Sequence, residues 1–326
     1  MRTLARLDRE EIERLLVRDE FFWLDLDSPA DDDLDGLAAL LGWHPLAVED
    51  AKEFGQRPKL DDYEDHALLV FYGVHAPDGR LVEVHLFVSG GWLVTIHRDP
   101  CEHLHTQRDA FASKPAETEE DVIYRVLDAL TDSYAPCVEQ FDEEIEHLED
   151  EIVRTPDERQ VGDVLRLRRR IGPIRRIATA ERDLFASVGD VIDRLPGLER
   201  DRAGNKFRDV SDHLQRTAEM LEAQRDRLAG ALQIYSSMSD NRLNKVTERL
   251  TLVATVFLPL TFTVGFFGQN FGWLVRHVDS FGAFMLWGIG VGELLPLILL
   301  YALFRRAGWV RGPVVSPPLR KRTHED

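Results

Sequence analysis

Cysteine is scarce in this chain. Cys101 and Cys137 are the two among 326 residues, too few for a disulfide framework and in keeping with a reducing compartment. No apolar segment opens the sequence: Met1-Arg2-Thr3-Leu4 leads into charged residues, so the N-terminal part is expected to stay in the cytoplasm. Basic charge is short as well. Against 58 Asp/Glu stand 40 Lys/Arg, a net charge of −18. Such a balance repels nucleic acid, which is not expected as a partner, and attracts cations. A glycine-rich phosphate loop and a nucleophile elbow are both missing, so no enzyme activity is expected. The most informative absence is local: no charged residue occurs between Arg249 and Arg276.

A charge-free helical run of that length can cross the ~30 Å hydrocarbon core, which needs roughly 20 residues. The first span is expected over 250–267, with Pro259 inside it. A second apolar run covers 281–304. Arg242, Lys245 and Arg249 precede the first span, and Arg305, Arg306 and Arg311 follow the second. The loop between carries Arg276 and Asp279 alone. The positive-inside rule then places both termini in the cytoplasm and the Gln269 loop outside the cytoplasmic membrane. Charge divides the same way. From Asp240 onward ten Lys/Arg meet six Asp/Glu; the residues before it hold 30 against 52, a net of −22.

Upstream, residues 21 to 97 alternate strand and helix signals. Strands are expected at Phe22-Trp23-Leu24-Asp25-Leu26, over 66–72, over 83–88 and over 92–96, with Asp78-Gly79 as a hairpin turn. Ser28-Pro29 before Asp31, Asp32 and Asp33 predicts a capped helix start. From about Glu117 the pattern becomes long helices. Val122, Val126, Leu130 and Tyr134 recur at helical spacing, as do Phe141, Ile145, Leu148 and Ile152. Basic residues 166–170, Arg175 and Arg176 could pair with the acids of 142–151 in an antiparallel hairpin, or both faces could simply be solvated. Breaks are expected at Leu195-Pro196-Gly197 and Ala203-Gly204-Asn205.

A stalk follows. Phe207, Leu214, Leu221, Leu228, Tyr235 and Arg242 fall seven apart, with Val210, Thr217, Gln224, Ala231, Met238 and Lys245 three after each. This heptad seam predicts self-association, the alternative being a seam packed on its own domain. The expected organisation is an α/β cytoplasmic domain with a mixed sheet over 1–115 and a cytoplasmic long-helix region over 116–205. A stalk helix over 206–249 leads into transmembrane helix 250–267. An external loop over 268–280, transmembrane helix 281–304 and a basic cytoplasmic tail over 305–326 complete the chain.

Two membrane helices cannot enclose a pore, so a transport reading requires a homo-oligomer in lipid. Asn244, Thr247, Leu250, Leu258 and Thr261 lie near one stripe of the first helix; Thr251, Thr255, Pro259 and Thr263 form another. Hydroxyls in a span can also simply bond backbone carbonyls. Glu293 lies in the second span, where a carboxylate is costly and faces a partner or water. His97, Cys101, His103 and His105 have zinc-like spacing, although exposed loop residues after a strand are the ordinary reading.

Gly268-Gln269-Asn270, closing a first membrane helix that ends an acidic stalk, resembles the Gly-x-Asn signature of the CorA-type divalent-cation channels. Three further stretches resemble that family in order. They are His44-Pro45-Leu46-Ala47-Val48-Glu49-Asp50 with Gln56-Arg57-Pro58-Lys59, Phe207-Arg208-Asp209-Val210-Ser211-Asp212-His213, and Leu258-Pro259-Leu260-Thr261-Phe262. The resemblance implies a funnel-shaped homopentamer carrying Mg2+, with Co2+ possible, and regulated by cytoplasmic Mg2+. Gly268, Gln269 and Asn270 would form the selectivity filter, with Asn270 presenting carbonyls to a hydrated ion. Asn244, Thr247, Leu250, Leu258 and Thr261 would line the pore. Asp209 would be the regulatory carboxylate, its partner an acid of the neighbouring subunit, Asp78 first and Glu83 second. Phe267 and Gln269 stand where most of the family has Tyr and Met. The zinc-transporting ZntB branch shares fold and signature, so a zinc transporter is one competing expectation. A non-conducting, membrane-anchored cation sensor is the other.

Overall fold

The computed structural model describes residues 1–75, 78–114, 116–269 and 272–306. It divides into two units, Met1–Ser237 and Met238–Asp326.

The first unit is built on a six-stranded mixed sheet. Its strands are β1 (Arg2–Leu4), β2 (Phe22–Asp27), β3 (Lys59–Asp62), β4 (Ala67–His75), β5 (Arg80–Val88) and β6 (Trp92–His97). Their spatial order is β1-β2-β6-β5-β4-β3. The first three in that order run parallel, with Asp25 beside Thr95 and Asp27 beside His97. The other three run antiparallel. The β4–β5 turn uses Gly79 at φ 68°, a left-handed conformation that glycine adopts without strain.

Both sheet faces are covered. α1 (Arg9–Val17), α2 (Asp31–Leu41) and α3 (Pro45–Lys52) close one face through Ile12, Leu15, Leu37 and Ala47. α4 (Glu102–Ser113), α5 (Glu119–Asp132) and the start of α9 (Arg200–Phe267) close the other through Leu104, Phe111, Val126 and Phe207. α6 (Ala135–Arg154) and α7 (Glu158–Leu184) share a third core with the middle of α9, and α8 (Val188–Asp193) connects α7 to it.

α2 starts at Asp31, with Ala30 at the cap and no side-chain cap bond. The expected Ser28 cap is corrected: the Ser28 hydroxyl donates instead to the Arg98 carbonyl, 2.8 Å away, tying down the strand end. Tyr134 does not continue α5; it is the residue before α6 and lies fully buried. The acidic face of α6 does meet basic partners. Arg170 of α7 reaches Glu144 at 2.6 Å, and Arg227 of α9 reaches Glu149 at 2.8 Å.

α9 is one helix, Arg200–Phe267. The expected break at Ala203-Gly204-Asn205 therefore lies within it. So does the whole heptad seam, and as far as Ala231 it follows the alternative reading, packed on its own domain, while Arg242 and Lys245 at its end are exposed. Phe207, Val210, Leu214, Leu221, Leu228 and Ala231 are buried against this chain's own helices and sheet. The polar lapse at Gln224 is buried too, and its amide donates to the Val138 carbonyl at 2.8 Å. A heptad stripe needs an apolar cover of the right width, and the α5–α7 layer supplies it.

The second unit holds the remainder of α9, α10 (Gly272–His277), α11 (Phe281–Ala283), a π-helical section Phe284–Leu294 and α12 (Leu295–Arg306). The second span is thus helical from 281 to 306 but widened in its first half. Pro296 offers a cause: its ring crowds the carbonyl four residues back, and a wider preceding turn relieves that clash. Both helices are long and apolar enough to cross a membrane. Their apolar side chains face outward: Leu258 is 73% exposed, Phe262 72% and Phe281 77%. Surface of that kind in one chain calls for lipid or further copies.

Candidate cation sites

Along the membrane part of α9, Asn244, Thr247, Leu250, Leu258 and Thr261 are all exposed. At roughly 100° per residue they fall within an arc of about 120°, so one helix face carries them all. The Thr261 hydroxyl donates to the Phe257 carbonyl at 2.8 Å, and Thr255 and Thr263 bond one turn back in the same way. Each hydroxyl oxygen keeps an acceptor lone pair for water. Gly268 follows the last helical residue, and its N–H donates to the Val264 carbonyl at 2.9 Å. A Cβ there would stand 3.0 Å from that same carbonyl, so a side chain would press the helix end by a few tenths of an ångström. Gln269 is exposed beside it. Asn270 lies outside the described residues.

In the first unit, Asp209 is not one solvated acid among many. Asp128 and Asp132 lie one turn apart on α5, and Asp209 and His213 one turn apart on α9. His213 Nδ1 is 3.4 Å from Asp132 and 4.0 Å from Asp128; its Nε2 is 3.8 Å from Asp209. The Tyr124 hydroxyl donates to Asp209 at 2.9 Å. Ligand atoms of Asp128, Asp132 and His213 all lie within 4.8 Å of one another. Burial pushes the Asp128 carboxyl up to about 6, and the neighbouring charges of Asp132 and Asp209 add to that rise against the opposing effect of His213. Three carboxylates crowded this way have an incentive to take up a cation. Sequence reasoning singled out Asp209 but not Asp128, Asp132 and His213 around it. The available signal was the pair of four-residue spacings, which any solvated helix face also shows.

A pH dependence follows from the raised Asp128 carboxyl. It must be ionised to bind a cation, so protons compete below about pH 6. Mg2+ affinity, measured calorimetrically on the purified protein, is expected to fall as pH drops through that value. Asp128→Asn should remove most of this pH dependence.

The two acids proposed as partners of Asp209 differ in fate. Asp78 is exposed, and its carboxyl is held below the usual range by His75 and by the Arg80 N–H. Glu83 is buried, and as a ligand it is corrected. Its oxygens accept from the Gly55 N–H at 2.5 Å, the Gln56 N–H at 3.1 Å and His85 at 2.9 Å. Burial opposes its ionisation, yet those donors outweigh it and hold the carboxyl low. A group so enclosed offers nothing to a neighbouring subunit.

The ordinary reading of His97, Cys101, His103 and His105 as exposed loop residues is corrected, since His97 and Cys101 are buried, and the alternative four-residue cluster does not form as written either. His97 and His105 do come together, with ring centroids 5.8 Å apart, but Asp25 completes their group. Cys101 lies buried at the start of α4, where burial pushes its thiol up to about 11.

A family profile described as "CorA-like Mg2+ transporter protein" matches residues 18–306. The cobalt/magnesium transport protein CorA of Thermotoga maritima is 28% identical over 280 residues, 82% of this chain and 77% of that one. The zinc transport protein ZntB of Yersinia enterocolitica is 28% identical over 269 residues, 80% of each chain. Among solved structures, that of the CorA magnesium transporter from Methanocaldococcus jannaschii superposes with TM-score 0.73. It is 20% identical and covers 88% of this chain and 91% of that one.

Proposed function

The chain belongs to the CorA-like Mg2+ transporter family, and from that premise we propose that it passes Mg2+ and Co2+ into the cytoplasm through a pore made by five copies. The observation that carries this reading is the exposed face of α9. Asn244, Thr247, Leu250, Leu258 and Thr261 follow one another along it, and the helix runs on to Gly268-Gln269-Asn270. Alternating polar and apolar rings of this kind suit a hydrated ion, because neutral oxygens bind its water shell without stripping it. Asn270 closes the pathway as the filter. Residues 268–280 form the outer mouth, helix 281–304 faces lipid, and both termini are cytoplasmic. Asp209, with Asp128, Asp132 and His213, takes cytoplasmic Mg2+ as a regulator, and Asp78 of a neighbouring copy is its candidate partner.

Zinc is the second reading. Gln269 departs from the Met that most of the family carries there, and a ZntB relative has the same identity to this chain, 28%, as the CorA one. Assembly tests the pore directly. Mass measurement of the purified protein in detergent is expected to give five chains, and a monomer or dimer that still conducts would remove the pore reading. Uptake of Mg2+ into liposomes carrying the protein tests the activity itself.

A further inference from the structure

Asp25, His97 and His105 sit where none of the preceding chemistry uses them. Asp25 lies on β2 and His97 ends β6, adjacent parallel strands. The helix after β2 packs on one sheet face and the helix after β6 on the other. The carboxyl ends of parallel strands between which the chain departs to opposite faces are where open sheets take ligands. His105 and Arg108 reach this place from α4.

The donor set is prepared in detail. Trp23 Nε1 donates to the Thr95 hydroxyl at 3.0 Å, and that hydroxyl donates to Asp25 Oδ1 at 2.7 Å. Asp25 is therefore a pure acceptor, 1% exposed. His97 Nδ1 lies 2.8 Å from the Asp99 carbonyl, which can only accept, so Nδ1 carries the proton. That backbone bond fixes the ring and leaves Nε2 as the ligand atom, the arrangement typical of metal-bound histidine. Nε2 is fully buried and has no hydrogen-bond partner. It stands 3.3 Å from Asp25 Oδ1, but not in a direction that bonds to it.

We propose that Asp25, His97 and His105 form a binding site for a divalent transition-metal ion of the Zn2+, Co2+ or Ni2+ class. Their ligand atoms lie within 4.8 Å of one another. A tetrahedral ion with bonds of ~2.0–2.1 Å brings such atoms to about 3.3 Å. Asp25 and His97 already have that separation, so the adjustment falls on His105, which is half-buried and at the edge of the site. Two imidazoles and one carboxylate select these ions over Mg2+, which prefers oxygen. Arg108, 3.2 Å from Asp25 Oδ2, weakens the site by its charge without occupying Oδ1. The inference stands apart from the pore reading, since these residues could bind metal whether or not the chain conducts.

The competing occupant of the gap at Nε2 is a proton, and a proton has no need of His105. Full-length protein in detergent, stripped of metal and carrying His213→Ala to silence the other histidine cluster, is titrated with Co2+ in millimolar Mg2+. Visible absorption and equilibrium dialysis report bound Co2+. One tight equivalent per chain is expected. His105→Ala should weaken it by at least about tenfold, as loss of a ligand does, and Arg108→Gln should strengthen it. Thermal melting checks that both variants fold. Absence of tight Co2+ binding, or equal affinity with His105→Ala, overturns the site.

Discussion

Asn270→Ala is expected to reduce Mg2+ uptake into liposomes to the level of empty vesicles while leaving assembly and thermal stability unchanged. The substitution removes a side-chain carbonyl from every copy at once. A ring of such oxygens holds a hydrated ion by hydrogen bonds to its water shell. Without the ring, the ion loses those carbonyl acceptors and binding no longer concentrates it there. Stability should be spared because Asn270 comes in sequence after Phe267, the last residue of α9. Gln269→Met should be far milder in rate, with its effect on the preference among ions. If Asn270→Ala transports at the normal rate, the filter lies elsewhere.

Asp209→Asn carries the second large effect, on regulation and not on permeation. The first unit is strongly acidic, and several such units side by side repel one another unless cations intervene. The Asp128, Asp132, Asp209 and His213 group gives that general charge a particular place. On the proposed function, Mg2+ bound there would stabilise a closed arrangement, and its loss would shift the population toward conducting states. Losing one carboxylate ligand, worth one or two kcal/mol, should raise the internal Mg2+ needed for half-inhibition by roughly 5–30-fold. Flux measured against internal Mg2+ checks this. An inhibition curve that does not move takes Asp209 out of the mechanism. A curve that moves together with a loss of maximal flux would mean that the variant disturbs the pore and not the sensor.

Much of the sheet was legible in the sequence. β2, β4, β5 and β6 show themselves as β-branched and aromatic runs, whereas β1 and β3 do not. β3 is Lys59–Asp62, with Leu60 as its one apolar residue, and β1 spans three residues. Both owe their place to the neighbour they pair with. The heptad of α9 was visible as a stripe, but a stripe does not say what covers it. Phe207, Leu221 and Leu228 turn out to be covered by α5, α6 and α7, so this part of the stripe is not free for association between copies. Glu83 failed as a ligand for a similar reason. Its acidity is written in the sequence, but the Gly55 and Gln56 N–H groups that consume it come from a distant loop. The same distance hid Asp25 from the histidines beside it.

The choice between magnesium and zinc bears most directly on what this chain does. Purified protein in liposomes can be presented with Mg2+, Co2+ or Zn2+ outside, with and without a proton gradient, at zero and at millimolar internal Mg2+. The account predicts Mg2+ and Co2+ influx that needs no proton gradient, that internal Mg2+ suppresses, and that Asn270→Ala abolishes. Zn2+ influx that requires the proton gradient, with no Mg2+ influx under any condition, would contradict it.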